Sequence, residues 1–330
     1  MFIVIRCDAG KKTGNGHLIR SLALADVLYK RGHRTALITS ILEHETSTKI
    51  KTNGHELIEV GPSSTSALEL EEIKRIGRTG TVDWIVTDSY NLGIDWDHQV
   101  KKLAKSTLVI DDLANRPHAC DLLLDQNILN GIQDRYKSLV DPNCRLLLGL
   151  DFLLAREIFF KKQLGKNRQG TLIFLGGGDN STLLKKIMKD IEHVELPHPL
   201  KALITSNYES SNEIKGASSH TQKLQIYSNI DDPTDLYSNA KIAIVRCGFV
   251  AYELALLGVP MLIIFETEIQ ETVAKTLEGM GYGIAISLEN LKNQIYVSEH
   301  INKLLNLNPI PMNSHLKNGS EVVAEIMELT

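Results

Sequence analysis

The feature that most constrains this chain is a repeated alternation of short apolar runs with longer segments of helical period. Phe2–Arg6 reads as a strand, Ile19–Lys30 carries Leu22, Ala23, Ala25 and Leu28 at helical spacing, and Thr35–Thr39 reads as a strand again. Trp84–Thr87 and Thr107–Ile110 continue the pattern, each short and apolar, as strands covered on both faces are. The grammar is βαβ, which predicts a parallel, doubly wound sheet. A polar stretch, Lys161–Gly170, precedes a second series. Strands are expected at Thr171–Leu175, Lys201–Thr205, Leu224–Tyr227, Ala240–Val245 and Met261–Phe265, and helices at Ser181–Glu192, Pro233–Asn239, Val250–Leu257 and Gln270–Met280. The expected division is therefore 1–162 and 163–330, two Rossmann-like α/β domains facing a cleft, with the ligand loops at the strand C-termini.

The 330 residues suit two domains of roughly 100–200 residues each. With 36 Lys+Arg against 40 Asp+Glu, the net charge of −4 gives no reason to expect nucleic acid or an anionic membrane surface as a partner. The longest apolar runs, such as Pro260–Phe265, are far short of the roughly 20 residues of a membrane span. Met1–Arg6 has a strand's pattern and not that of a secretory leader, so the expected location is the cytoplasm. Cys7, Cys120, Cys144 and Cys247 are widely spaced without a Cys-x-x-Cys pair, which predicts buried reduced thiols and neither a zinc site nor a disulfide framework. Composition sets no oligomeric state.

The densest chemical signal is Arg6-Cys7-Asp8 followed by Gly14-Asn15-Gly16-His17 and Arg20, a strand, a glycine-bearing loop and a helix start. Gly14 and Gly16 permit close backbone approach to a ligand, and the helix start offers unpaired N–H donors to an anion. An imidazole, whose unperturbed pKa in model compounds is about 6.5, can take a proton from water if a neighbour fixes its tautomer; His17 supplies the ring, and Asp8 is the neighbour expected to fix it. The alternative is a capping histidine in an ordinary turn. Asp88-Ser89-Tyr90 and Asp111-Asp112 end two further strands and meet near His17 if those strands are neighbours, although Asp at strand ends also caps turns. No Asp-x-Asp or His-x-His spacing supports a metal, so neither a metal nor any other cofactor is expected.

In the second half, Gly176-Gly177-Gly178-Asp179 and Arg246-Cys247-Gly248-Phe249 are strand-to-helix turns whose backbone N–H groups suit a diphosphate, and Glu253, one turn into the second helix, suits a ribose diol. The same turns are also what a doubly wound sheet needs for tight connections, and a first-turn Glu is favoured by the helix dipole alone. Trp84 and Trp96 are expected to pack. His118 is open to either a ligand or a structural contact, and Cys7 and Cys247 have no motif that makes them nucleophiles.

Three segments together resemble the UDP-sugar hydrolases of pseudaminic acid biosynthesis: Arg6-x-Asp8…Gly14-x-Gly16-His17-x-x-Arg20-x-Leu22-x-Leu24-Ala25, Asp88-Ser89-Tyr90-x-Leu92-x-x-x-Trp96, and Asp111-Asp112-Leu113-Ala114-x-Arg116-x-His118-x-Cys120 through Asn127. The resemblance spans essentially the whole chain. It implies a GT-B-like architecture, a UDP-linked diacetamido-trideoxyhexose as substrate, and His17 as the base that activates water for inverting C–O cleavage. It also implies that Asp8, Tyr90 and Asp111 orient that base or hold the sugar, with Arg6, Gly14, Gly16, Arg20 and Asp88 on the substrate side. Gly177, Gly178, Arg246, Gly248, Phe249, Glu253 and Gln270 would line the nucleotide side.

The C-terminal half departs from the family pattern. A Gly-Gly-Ser-Thr run before the helix is replaced by Cys247-Gly248-Phe249-Val250, and an Asn-Gln pair by Ile269-Gln270. Two competing functions stand beside the hydrolase: a glycosyltransferase of the same fold, in which an acceptor hydroxyl replaces water, and a nucleotide-sugar binding protein without catalysis. Lys11, Lys12, Lys30, Arg31 and Arg34 are scattered among acids and form no membrane-docking patch of the kind an acceptor-bound transferase uses, which favours the hydrolase.

Overall fold

The computed structural model describes residues 1–10, 15–61, 65–78, 80–129, 131–177, 180–204, 224–228, 230 and 232–330. The strands are β1 Phe2–Cys7, β2 Arg34–Ser40, β3 Glu56–Val60, β4 Val82–Asp88, β5 Ala104–Ile110, β6 Leu122–Asp125, β7 Arg145–Leu148, β8 Thr171–Phe174, β9 Leu200–Ile204, β10 Leu224–Ser228, β11 Ile242–Arg246, β12 Met261–Phe265 and β13 Gly283–Ser287. The helices are α1 Gly16–Lys30, α2 His44–Thr52, α3 Ser66–Gly77, α4 Ile94–Val100, α5 Ile132–Arg135, α6 Glu157–Lys161, α7 Ser181–Asp190, α8 Thr234–Ser238, α9 Phe249–Leu257, α10 Glu268–Gly279, α11 Gln294–Leu305 and α12 Gly319–Leu329. None is long and apolar enough among the described residues to cross a membrane.

Two compact units result: Met1–Arg156 with Lys317–Thr330, and Glu157–Leu316. In the first, seven parallel strands run in the order β3-β2-β1-β4-β5-β6-β7. Its central strands are buried on both faces because helices cover both, which is why Ile3, Val4, Ile5, Ile85 and Val86 form near-continuous apolar runs. The second unit holds six parallel strands in the order β10-β9-β8-β11-β12-β13. Its main core joins Ile173, Ile244, Leu262 and Ile284 of the sheet to Ile187, Met188 and Ile301 of the helices. Helix α9 is buried along nearly its whole length, and Gly258 ends it in the left-handed region at φ 71°.

The unit boundary differs from the sequence expectation at the C-terminus. Residues 317–330, expected in the second domain, belong to the first, because α12 lays Val323, Ala324 and Met327 into the core of Ile3, Leu24, Leu28 and Trp84. The Trp84 indole N–H donates to the Met327 carbonyl at 3.1 Å, and Arg31 and His33 pair with Glu328. Fully burying side chains the size of Val323 and Met327 is worth about 1.5–3 kcal/mol each, so α12 is a structural part of this unit.

Candidate functional site

The order of the first sheet reverses between β1 and β4, since the chain winds outward through β2 and β3 on one flank and through β5 to β7 on the other. Crevices at such switch points, at the strand C-termini, are where doubly wound sheets hold ligands. The register sets Cys7 beside Asp88, and Asp88 beside Ile110 of β5. Asp8, Asp88-Ser89-Tyr90 and Asp111-Asp112 therefore share one edge, and the Asp8 N–H donates to the Asp88 carbonyl at 3.0 Å. Helix α1 starts here and carries His17 and, one turn on, Arg20 over the same edge.

The buried Asp88 carboxylate organises this edge. Its Oδ1 lies 2.6 Å from His17 Nδ1 and accepts from Arg20 Nη2 at 2.6 Å, while its Oδ2 accepts from Arg20 Nε at 2.8 Å and from Ser21 Oγ at 3.2 Å. Burial alone would raise the Asp88 carboxyl, but the charge and hydrogen bonds of Arg20, with His17 adding to them, hold it well below the usual carboxylate range. A carboxylate 2.6 Å from Nδ1 demands a proton there, which places the lone pair of a neutral imidazole on Nε2. Nothing among the described residues hydrogen-bonds to Nε2. Arg20 Nη2 also lies 3.1 Å from His17 Nδ1, a contact that carries no hydrogen bond in this tautomer. The sequence reading gave the orienting task to Asp8; the structure gives His17 to Asp88, because Asp8 instead accepts from Arg6 and from the Tyr90 N–H.

Around this core the Tyr90 ring stands edge-on to the His17 ring, with centroids 4.4 Å apart and an interplanar angle of 79°. Its hydroxyl reaches Asp112 Oδ2 at 3.4 Å, and Arg20 Nη1 donates to the same oxygen at 2.8 Å. Asp112 Oδ1 is buried with no hydrogen-bond partner among the described residues, an open acceptor beside the histidine. Asp111 faces other groups: it accepts from the Ala114 N–H at 2.8 Å, from Arg116 Nη1 at 3.2 Å and from the Tyr136 hydroxyl at 3.2 Å. Asp111 thus shapes the 111–121 loop, and Asp112 is the member of the pair that turns toward His17. Arg6 is gripped by Glu69 of α3 at 3.0 and 3.2 Å as well as by Asp8.

Of the other members of this arrangement, Glu69, Arg135 and Tyr136 carried no sequence signal, and Asp125 lay inside a matching segment with no role assigned to it. Tyr136 also donates to Asp125 Oδ2 at 2.9 Å, and Arg135 Nη1 donates to the same oxygen at 2.7 Å. Burial pushes the Asp125 carboxyl up to about 6 despite these bonds. Glu69, Asp125, Arg135 and Tyr136 reach the edge from segments far apart in sequence, whereas Asp112 was legible as half of the Asp111-Asp112 pair. His118 is buried and bonded to Asp97 at 2.8 Å, which makes it a structural contact. Trp84 and Trp96 pack, the latter donating to Thr87 Oγ1 at 2.9 Å. Burial pushes the Cys7 and Cys247 thiols up to about 12 each, which does not suit a nucleophile. Among the described residues no three His, Cys, Asp or Glu side chains group as a metal site requires.

The second sheet has its own switch point, between β8 and β11. Gly176 follows β8 at φ 91°, a conformation that favours glycine, and Asn180 Nδ2 ties the turn by donating to the carbonyls of Leu175, Gly176 and Gly177 at 3.1–3.3 Å. Gly14 and Gly178 lie outside the described residues, as do Lys11, Lys12 and Asp179. Gly248 is extended at φ 172°, and a Cβ there, as at Gly16, would meet nothing within 4 Å, so the protein's own packing does not require glycine at either position. Phe249 opens α9 and Glu253 is buried within it. Arg246 Nε lies 2.9 Å from Glu266 Oε1, an ion pair without hydrogen-bond alignment. Gln270 is engaged in its own helix: its N–H donates to the Thr267 side chain at 3.3 Å, and its side-chain oxygen accepts from the Glu266 N–H at 2.9 Å.

No family model matches the chain. Among curated proteins it is 23% identical over 332 residues to the spore coat polysaccharide biosynthesis protein SpsG of Bacillus subtilis, covering 98% of this chain and 94% of that protein. It is 23% identical over 287 residues to the UDP-2,4-diacetamido-2,4,6-trideoxy-β-L-altropyranose hydrolase of Campylobacter jejuni, covering 86% and 98%. An uncharacterized protein of Methanocaldococcus jannaschii is 21% identical over 282 residues, and there the chain spans only 57% of the relative's length. Among solved structures, MurG of Acinetobacter baumannii superposes with a TM-score of 0.64 at 15% identity, with both chains fully covered. The UDP-GlcNAc 2-epimerase of M. jannaschii gives 0.60 at 13% identity, again with full coverage. These structural likenesses establish the fold, which is GT-B-like with two parallel-sheet α/β domains.

Proposed function

We propose that this chain, a member of the family that includes SpsG and the UDP-2,4-diacetamido-2,4,6-trideoxy-β-L-altropyranose hydrolase, hydrolyses a UDP-linked diacetamido-trideoxyhexose to free sugar and UDP. The observation that carries the reading is the 2.6 Å bond from Asp88 to His17 Nδ1 at the sheet's switch point, which leaves Nε2 basic and without a partner among the described residues. A water held at Nε2 loses its proton to the imidazole as its oxygen attacks the anomeric carbon. The C–O bond to the diphosphate breaks on the opposite face, so the anomeric configuration inverts and UDP departs as a stabilised anion. Asp88, negatively charged and fully buried, stabilises the imidazolium formed in that step.

Tyr90 walls the histidine, and Asp112 Oδ1 accepts a hydrogen bond from a hydroxyl or acetamido N–H of the sugar. The turns after β8 and β11, with Gly177, Gly178, Arg246, Gly248 and Phe249, take the nucleotide through backbone N–H groups, which tolerates the loss of the hydroxyl side chains usual in the family. Glu253, buried in α9, and Gln270, near the start of α10, complete the nucleotide side. It acts on a small-molecule substrate in the cytoplasm, without metal or cofactor.

The test is UDP release from this UDP-sugar with no acceptor present, by the wild type and by His17→Asn, alongside UDP binding by both. Wild-type release with a fall of about 10²–10⁴-fold in the variant and unchanged UDP binding is the expected result. Wild-type binding of UDP without release removes this UDP-sugar as the hydrolysed substrate and favours a different sugar nucleotide, a transferase awaiting its acceptor, or a binding protein.

A further inference from the structure

Two of the four cysteines touch. Cys120 ends the loop that runs from Asp111 to β6, and Cys144 is the residue immediately before β7; their sulfurs lie 3.7 Å apart, and both are free. They share a small apolar cluster with Val109, Leu123 and Tyr136, at the end of these strands opposite to His17. Cys7 and Cys247 make no such pair: each is buried, and they belong to different units. We propose that Cys120 and Cys144 are a reversible dithiol–disulfide site that a hydroperoxide oxidises. A disulfide holds its sulfurs at about 2.05 Å, so they must close by roughly 1.7 Å.

The two thiols are unequal in a way that suits this chemistry. Cys144 is the more accessible, at 9% exposed against 2% for Cys120. The contact with Cys120 holds the Cys144 thiol below its usual range, while the same contact, together with burial, pushes Cys120 up. In the first step the Cys144 thiolate attacks one peroxide oxygen, the O–O bond breaks, hydroxide leaves and a sulfenic acid remains. In the second, the Cys120 sulfur attacks the sulfenic sulfur, the S–S bond forms, the S–O bond breaks, and the oxygen departs as water with the Cys120 proton. The sum is one dithiol and one hydrogen peroxide giving one disulfide and two waters. A bond there ties the loop bearing Asp112 to the segment bearing Arg135 and Tyr136.

The test is hydrogen peroxide titration of the full-length wild type, followed by thiol counting and non-reducing peptide mapping. Loss of two of the four thiols, a linked 120–144 peptide lighter by two hydrogens, a monomer on a non-reducing gel, and full reversal by dithiothreitol are expected. Cys120→Ser should stop at a sulfenic acid on Cys144 that dimedone traps. Four surviving thiols, oxidation of Cys7 or Cys247 at the same rate, an intermolecular disulfide, or sulfinic acid at Cys144 with Cys120 untouched would each overturn the proposal. The wild-type map decides the matter even if a serine variant fails to fold.

Discussion

Replacing Asp88 with asparagine isolates the task the geometry gives that carboxylate. The side chain is fully buried and receives Arg20 twice, Ser21 once and His17 once. An amide of the same shape has one accepting oxygen where the carboxylate has two. With its oxygen in the place of Oδ2, toward Arg20 Nε and Ser21, its NH2 stands where Oδ1 was, against both Arg20 Nη2 and His17, and can bond to the ring only through a lone pair on Nδ1, which moves the imidazole proton to Nε2 and abolishes the base. The expected loss in kcat is therefore the whole general-base contribution, about 10²–10⁴-fold, equivalent to roughly 3–5 kcal/mol of transition-state stabilisation. The fold weakens as well. Stripping one partner from a buried ion pair costs about 3–5 kcal/mol, and the lower end applies because Asp112 still holds Arg20 Nη1 at 2.8 Å. For units of this size that is a fall in Tm of roughly 6–12 °C. UDP release assayed well below the variant's melting temperature, with UDP binding measured in parallel, separates the two effects. Turnover within about threefold of wild type in a folded Asp88→Asn protein would refute the tautomer argument.

Two further predictions concern the fold around the site. Gly319 opens α12, and a Cβ there would stand 2.3 Å from the Leu153 backbone N, so Gly319→Ala must displace α12 from its bed; thermal melting should show a loss of at least about 2–3 kcal/mol, and an unchanged Tm would contradict the docking described. Asp125, pushed up to about 6 from 3.8, binds its proton more tightly folded than unfolded, so its contribution is fully present below pH 4 and is lost as pH rises through 6, by up to roughly 3 kcal/mol. Denaturant titrations should accordingly show wild type losing stability relative to Asp125→Asn between pH 4 and 6, and a constant difference across that window would remove the buried acid from the account.

The sequence made the two winding sheets legible because parallel strands covered on both faces must be apolar throughout, and Ile3–Ile5 or Ile263–Ile264 announce themselves. Edge strand β3, with Glu56 and Glu59 among its five residues, gave no such run. The C-terminal helix was placed in the wrong unit because its apolar stripe says that it docks without saying where. The site's anchors, His17, Arg20, Asp88 and Tyr90, were readable as residues at strand ends and a helix start. Which carboxylate meets the histidine was not, since Asp8 and Asp88 adjoin across β1 and β4, and only the side-chain geometry separates them.

The central claim is that water activated at His17 attacks the anomeric carbon. Hydrolysis of UDP-2,4-diacetamido-2,4,6-trideoxy-β-L-altropyranose in ¹⁸O-labelled water, followed by NMR of the first-formed anomer and mass spectrometry of both products, tests it most directly. The account predicts the label in the sugar, none in UDP, and an inverted anomeric centre; label in the UDP phosphate, or retention at the anomeric carbon, would contradict it.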